Sequence, residues 1–174
     1  MKTLTVPECI AHLKKFGGEF IADARFSEIL KKPPFSNFES AKFPLPKDSG
    51  RKVALTRLLL GQFSNEGEVL IWLKNLDVWP SSGHEPLLVR LRESLGCKQT
   101  IEESPGHLFS AAELDDALSF LILSAEFFWD CLVVDPDLQV TIFFSHDEFY
   151  LVACKEKRRL IQIQEILENG NWTK

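Results

Sequence analysis

The tightest cluster of reactive side chains in the sequence is the tetrapeptide Ser145, His146, Asp147 and Glu148. It contains the hydroxyl, imidazole and carboxylate of a hydrolytic triad. However, a triad brings its members together from separate parts of a fold, whereas neighbours along a strand point to opposite faces. We therefore interpret the segment as a polar turn between two strands. His146 and Asp147 remain candidate catalytic residues, and Glu148 remains a candidate binding residue.

Other candidate residues lie elsewhere in the chain. The remaining catalytic candidates are Ser81, His107 and Asp130, and the remaining binding candidates are Trp79, Ser82 and Arg90. A pocket around His107, Asp130 and His146 would suit a small hydrolase-like enzyme. No pair of histidines has a short ligand spacing, and the glycine patterns of phosphate loops and nucleophile elbows do not occur, so we predict neither a metal nor a cofactor.

Two regions must supply the strands that position these residues. Three apolar runs within residues 127–153 predict a three-stranded meander. Residues 68–75 predict a strand that is apolar on both faces and therefore lies inside the sheet. Residues 53–63 predict the other arm of a hairpin with that strand, although this run also fits a helix.

Helices are predicted from capping boxes and apolar spacing. The boxes pair Thr5 with Glu8, Ser82 with Glu85, and Ser110 with Glu113. The predicted helices cover residues 6–16, 22–31, 85–95, 111–126 and 155–169, the last of which also fits a strand. Arg90 and Arg92 lie off the leucine stripe of their helix, so we expect both to face solvent or to pair with acids.

We expect one globular domain over residues 1–174. Residues 32–51 contain four prolines and several phenylalanines, and we interpret them as an extended strap docked on the main body. The predicted fold class is α+β, with an antiparallel or mixed sheet of about five strands and helices packed on one face.

The composition limits the classes of function. The net charge of −5 argues against a nucleic-acid-binding protein, because phosphate binding needs an excess of Lys and Arg. The same acidic charge fits equally well a solvated cytoplasmic protein or a protein that meets a basic partner. Four scattered cysteines predict free thiols, and no apolar run is long enough to span a membrane. The first ten residues lack the apolar core of a signal peptide, so we expect a cytoplasmic protein.

Several motifs in the chain occur in a fixed order: Trp-Pro-Ser-Ser from Trp79, Pro-Gly-His-Leu-Phe from Pro105, Trp-Asp at Trp129, and Ser-His-Asp-Glu from Ser145. In this order the chain resembles a group of small bacterial proteins of unknown function. The resemblance covers residues 53–149 and implies a bacterial, cytoplasmic protein without implying an activity. The chain departs from the group's pattern at Gly83-His84, which intervene before the next helix, and at Phe128, where the group has glycine.

The sequence therefore favours a non-enzymatic protein-interaction module, of an immunity or antitoxin-like kind, over an enzyme. Its acidic surface would meet a basic protein partner. The alternative is the small hydrolase-like enzyme with its pocket around His107, Asp130 and His146. The sequence specifies no oligomeric state.

Overall fold

The computed structural model describes residues 1–17, 25–32, 34–63, 67–74 and 81–170, without the side chains of Ser27, Ser81 and Ser82. The strands are β1 Lys2–Leu4, β2 Glu39–Pro44, β3 Glu68–Lys74, β4 Gly106–Ser110, β5 Asp130–Val134, β6 Val140–Ser145 and β7 Phe149–Cys154. The α-helices are α1 Val6–Lys14, α2 Phe26–Ile29, α3 Ser49–Leu60, α4 Glu85–Ser94, α5 Leu114–Glu126 and α6 Lys157–Asn169. Short 3₁₀ turns cover Phe35–Asn37, Ser81–His84 and Ala111–Glu113.

The strands form one sheet in the order β1-β4-β3-β5-β6-β7-β2, and each neighbouring pair is antiparallel. The predicted α+β class is confirmed, as are the meander of β5, β6 and β7 and the interior position of β3. The expected number of about five strands is roughly right, since the sheet has seven strands within the described residues. Of the additional strands, β1 has three residues, β2 ends at Pro44 and β4 begins at Gly106, so none of them shows a clear periodic pattern in the sequence.

Apolar side chains pack on both faces of this sheet. On one face Val69, Ile71 and Leu73 join a core shared with α3, α5 and α6, which we call the α5-side core. On the other face Leu70 and Trp72 join a core shared with α1 and α2, which we call the α1-side core. The expectation that helices cover only one face is therefore wrong. A strand that is apolar on both faces must be covered on both.

The predicted hairpin arm before β3 is in fact helix α3. Asp48 caps this helix by accepting a hydrogen bond from the Arg51 amide at 2.8 Å. Leu55 and Leu59 are spaced by one helical turn and are both buried. The cap and this spacing favour a helix over a strand.

The segment expected to be an extended strap contains several elements. Phe35 lies in a 3₁₀ turn and is buried, and β2 pairs along its whole length with β7. Leu45 is also buried, and the last residues of the segment begin α3. The segment is thus held both by the burial of Phe35 and by the pairing of β2, as an edge strand, with β7. Pro33 lies outside the described residues.

The predicted start of α1 and the predicted C-terminal helix are confirmed. Thr5 and Glu8 form a capping box, and residues 157–169 are helical rather than extended. The box between Ser110 and Glu113 is also present, but it opens a 3₁₀ turn that leads into α5. None of the helices within the described residues is long and apolar enough to span a membrane.

Candidate functional site

The closest association among the candidate side chains that the structure describes joins Asp130, the first residue of β5, to His146, in the turn after β6. Asp130 Oδ1 accepts a hydrogen bond from the His146 backbone amide and lies 2.9 Å from the ring atom Nδ1. An ionised carboxylate can only accept, so we assign the ring proton to Nδ1. The second ring nitrogen, Nε2, lies 3.5 Å from Asp147 Oδ1. His146 is therefore placed between two carboxylates.

These three residues lie at increasing distance from the protein interior. The side chain of Asp130 is 8% exposed, that of His146 is 33% exposed and that of Asp147 is 70% exposed. A buried carboxylate that is not hydrogen-bonded would be costly, and the two bonds from His146 reduce that cost. Asp130 also lies directly across from Lys74 in the pairing of β5 with β3.

The turn that contains His146 is held by several further hydrogen bonds. The Asp147 amide donates to Ser145 Oγ and the Glu148 amide donates to the Ser145 carbonyl, each at 3.2 Å. The Glu148 carbonyl accepts from the amide of Leu45 at 2.9 Å. Glu148 has a φ of 60°, in the left-handed region that is uncommon for residues other than glycine. The prediction of a polar turn between two strands is confirmed.

The chain enters Asp130 through a second left-handed residue, Phe128, with a φ of 54°. A left-handed conformation costs a non-glycine residue roughly 1–2 kcal/mol. The Phe128 ring receives the ammonium group of Lys52, 4.4 Å from its centroid, and that ammonium also pairs with Glu126 at 3.2 Å. Glycine is the residue that this backbone conformation favours, so Phe128 is an unfavourable residue at this position.

An Asp-His pair can hold a neutral imidazole with Nε2 ready to accept a proton, as a general base does. The neighbouring hydroxyl, Ser145 Oγ, is unsuited to act as a nucleophile because Ser145 is 4% exposed and its oxygen accepts the Asp147 amide. The three cavities described in the structure are lined by other residues. The two hydrogen bonds between Asp130 and His146 hold the turn against the start of β5.

His107 lies on the opposite face of the sheet from Asp130. It is fully buried in the α5 side of the molecule, where its ring packs 4.6 Å from that of Phe120. Its Nε2 accepts a hydrogen bond from Arg92 Nε at 3.0 Å. The structure thus brings Asp130, His146 and Asp147 together and keeps His107 apart from them.

Burial, reinforced by the positive charge of Arg92, lowers the pKa of His107 to about 3. The ring is therefore neutral at physiological pH and sealed from solvent. Backbone groups of Ile71 and Pro105 oppose this shift, but Nδ1 makes no hydrogen bond of normal geometry with a described residue. His107 acts as an acceptor within a buried polar network rather than as a base in a pocket.

The remaining candidates are dispersed. Trp79 lies outside the described residues, and only the backbone of Ser81 and Ser82 is described, in a 3₁₀ turn. Arg90 is exposed as expected, with its side chain 84% accessible and paired to Glu93 at 3.1 Å. Glu148 is exposed at the tip of the turn.

Arg92 is the important residue that the sequence analysis missed. It is 2% exposed, so the expectation of a solvent-facing or acid-paired side chain is wrong. Its Nη2 donates to the Thr100 carbonyl at 3.2 Å and to the carbonyl and hydroxyl oxygens of Ser104 at 2.9 and 3.0 Å. Arg92 follows the buried Leu88 by four residues, and this helical spacing was the available signal for burial.

Within the described residues, no group of three or more His, Cys, Asp or Glu side chains is arranged to hold a metal ion. All four cysteines are free thiols, and Cys97 is the one that is half-buried rather than fully buried.

The chain was also compared with known proteins. No family model, curated protein sequence or solved structure matches it.

Proposed function

We propose that the protein is a non-enzymatic protein-interaction module, immunity or antitoxin-like, that meets a basic partner protein. Its contact site is the turn between β6 and β7, which presents the carboxylates of Asp147 and Glu148 to solvent. The observation that carries the proposal is that Asp130 Oδ1 accepts two hydrogen bonds from His146, one from its backbone amide and one from its ring Nδ1. These bonds hold an exposed acidic turn in one conformation.

A rigid exposed turn is useful in recognition because less conformational entropy is lost when it binds. The carbonyl of Glu148 accepts a hydrogen bond from the amide of Leu45, the residue that follows β2. Within the turn, the Asp147 amide donates to Ser145 Oγ. Its exposed carboxylates carry the same sign as the net charge of −5, so both would attract a basic surface.

The alternative enzyme is less well supported by the arrangement of the residues. A hydrolase-like pocket would need His107 near Asp130 and His146, yet His107 is buried on the other face of the sheet. The hydroxyl of Ser145 is engaged in the turn itself. Binding by the turn requires neither a cavity nor a nucleophile.

We further propose a reducing, cytoplasmic compartment in a bacterial host. Four free thiols suit this environment, in which disulfides are rare. The bacterial origin rests on the resemblance of the Trp-Pro-Ser-Ser, Pro-Gly-His-Leu-Phe and Ser-His-Asp-Glu motifs alone.

The test compares three immobilised proteins as baits in lysate of the native host. They are the wild type, a turn variant with Asp147→Asn and Glu148→Gln, and a control with Glu165→Gln and Glu168→Gln. The control makes the same change in charge at exposed positions of α6. We expect the wild type and the control to retain the same basic protein, and the turn variant to bind it about tenfold more weakly.

Raised salt should also weaken this binding, because dissolved ions screen the attraction between exposed charges. The screening length is about 8 Å at physiological ionic strength and shortens as salt is added. The purified partner would then be titrated against each variant by calorimetry. Equal affinities for the turn variant and the control would overturn the assignment to the turn. Retention of no protein at either ionic strength would overturn the proposed function.

A further inference from the structure

An open cavity of about 470 Å³ lies on the α1 side of the sheet, near the edge formed by β7 and β2. Its floor is formed by strand residues, and its wall by residues at the end of α2 and in and after the following 3₁₀ turn, among them Leu30, Phe35 and Phe38. This volume is within the range of roughly 300–1,000 Å³ that is typical of small-molecule sites. The cavity is separate from the acidic turn, although Phe149 borders both.

The floor of the cavity is apolar and is continuous across three strands. Phe143 of β6 lies opposite Leu151 of β7, and Ala153 of β7 lies opposite Ser40 of β2. Residues paired in this way project from the same face of the sheet. On this part of the face Leu151 and Phe149 are only partly buried.

The wall of the cavity is aromatic. Phe35 and Phe38 contact each other edge to face with centroids 5.7 Å apart, and Leu30 completes the apolar lining. Phe35 is 2% exposed, so this wall is anchored in the α1-side core. An anchored aromatic wall above an apolar floor suits a flat or aliphatic body of a ligand.

Positive charge borders the cavity. Lys31 lines it and is exposed, and the Lys42 ammonium stands 3.6 Å from the centroid of the Phe149 ring, which is part of the lining. Among the described residues that line the cavity there is no Asp or Glu. Glu39, the nearest acid along β2, is paired with Cys154 and so projects from the opposite face.

We propose that this cavity binds a small amphipathic anion, meaning a molecule with an aliphatic or aromatic body and one acidic group. The body contacts the phenylalanine wall and the floor formed by Leu151 and Ala153. The acidic group faces Lys31 and Lys42, and the exposed hydroxyls of Ser36 and Ser40 are donors within the lining. The site is independent of the proposed protein partner.

The test uses octanoate and octylammonium, which share a chain and differ in the sign of their charge. Each is titrated into the full-length protein, with binding followed by calorimetry and by NMR chemical-shift mapping. We expect octanoate to bind with one molecule per chain and to shift the amides of β7 and β2. Octylammonium should bind about tenfold more weakly or not at all.

Two variants locate the site. Ser40→Phe places a ring in the cavity from an exposed position on an edge strand, where aromatic residues are well accepted. Glu39→Phe is its matched control, since it places the same ring on the opposite face of the same strand. We expect Ser40→Phe to weaken octanoate binding at least about tenfold, and Glu39→Phe to leave it within about twofold of the wild type. Circular dichroism and thermal melting show that each variant is folded.

A third variant, Lys31→Gln with Lys42→Gln, tests the charge. It should weaken octanoate binding about fivefold to tenfold without weakening that of octylammonium. The proposal is overturned by the absence of saturable octanoate binding, by shifts confined to other surfaces, or by equal effects of the two phenylalanine substitutions. Equal binding of octanoate and octylammonium overturns it as well.

Discussion

A single oxygen of Asp130 accepts hydrogen bonds from both the backbone amide and the ring Nδ1 of His146, each 2.9 Å long. The two residues are sixteen positions apart in sequence: Asp130 begins β5 and His146 follows β6, and these two strands are adjacent in the sheet. One carboxylate thus connects the start of β5 to the turn that follows β6. The conformation of the exposed turn depends on a buried group.

We expect Asp130→Asn to lower the free energy of unfolding by about 1.5–3 kcal/mol. The amide lacks the negative charge that strengthens both bonds from His146, and its own N–H₂ group adds donors that need partners. Urea denaturation measures the change. Asp147→Asn is the control, because its side chain is 70% exposed, and it should stay within about 0.5 kcal/mol of the wild type. Equal effects of the two substitutions would contradict this role for Asp130.

Arg92→Lys should lower the free energy of unfolding by about 2–4 kcal/mol. The guanidinium donates to His107, Thr100 and Ser104 in different directions, and an ammonium group cannot reproduce this planar arrangement. Arg90→Lys, two residues away, changes a side chain that is 84% exposed and should cost less than about 0.5 kcal/mol. Chemical denaturation of both variants compares the loss of stability at a buried arginine with that at an exposed one. A small loss of stability in Arg92→Lys would show that the hydrogen bonds of Arg92 contribute little to the free energy of unfolding.

The stability of the protein should depend on pH through His107. Burial lowers the pKa of His107 to about 3 in the folded protein, whereas its ordinary value in an unfolded chain is about 6.5. Between these values the unfolded chain binds a proton that the folded protein does not. The contribution of His107 to stability is therefore complete above the unfolded pKa and is lost as the pH falls towards the folded pKa, at up to about 1.4 kcal/mol per pH unit.

When the pH is lowered from 7 to 5, protonation of His107 in the unfolded chain should decrease the free energy of unfolding by about 2 kcal/mol. His107→Gln should remove that part of the pH dependence. The amide oxygen of glutamine can still accept from Arg92. Ser104→Ala is the control, since it removes another acceptor of Arg92 without removing a titrating group. Urea denaturation at both pH values gives the difference. Identical pH dependence in the wild type and His107→Gln would show that His107 does not bind its proton in this way.

Gly106 and Cys9 should be energetically coupled. A Cβ atom added at Gly106 would overlap Cys9 Sγ and would lie 3.0 Å from the Cβ atom of Leu4. We expect Gly106→Ala to cost about 1–3 kcal/mol through overpacking, and to cost less in a Cys9→Ala background, where the sulfur is absent. A double-mutant cycle by chemical denaturation measures this coupling. Gly83→Ala, which meets nothing within 4 Å, is the control for glycine replacement.

Local patterns in the sequence were sufficient where a few neighbouring residues determine the structure. The capping box of Thr5 and Glu8 marks the start of α1, and the apolar runs of residues 127–153 mark the meander. The polar turn at His146 was predicted for the same reason, because turn residues separate two apolar strands. Short elements such as β1 were not predicted, because three residues are too few for a periodic pattern.

The sequence by itself determined the α+β class, the apolar character of β3 on both faces and the polar nature of the turn between β6 and β7. Only the tertiary structure decided that His146 meets Asp130 while His107 meets Arg92 on the other face. The face on which a side chain lies depends on the register of strands that are distant in sequence, and a shift of one residue reverses it. Local spacing carries no information on that register, so the candidate histidines could be recognised in the sequence but not assigned to their partners.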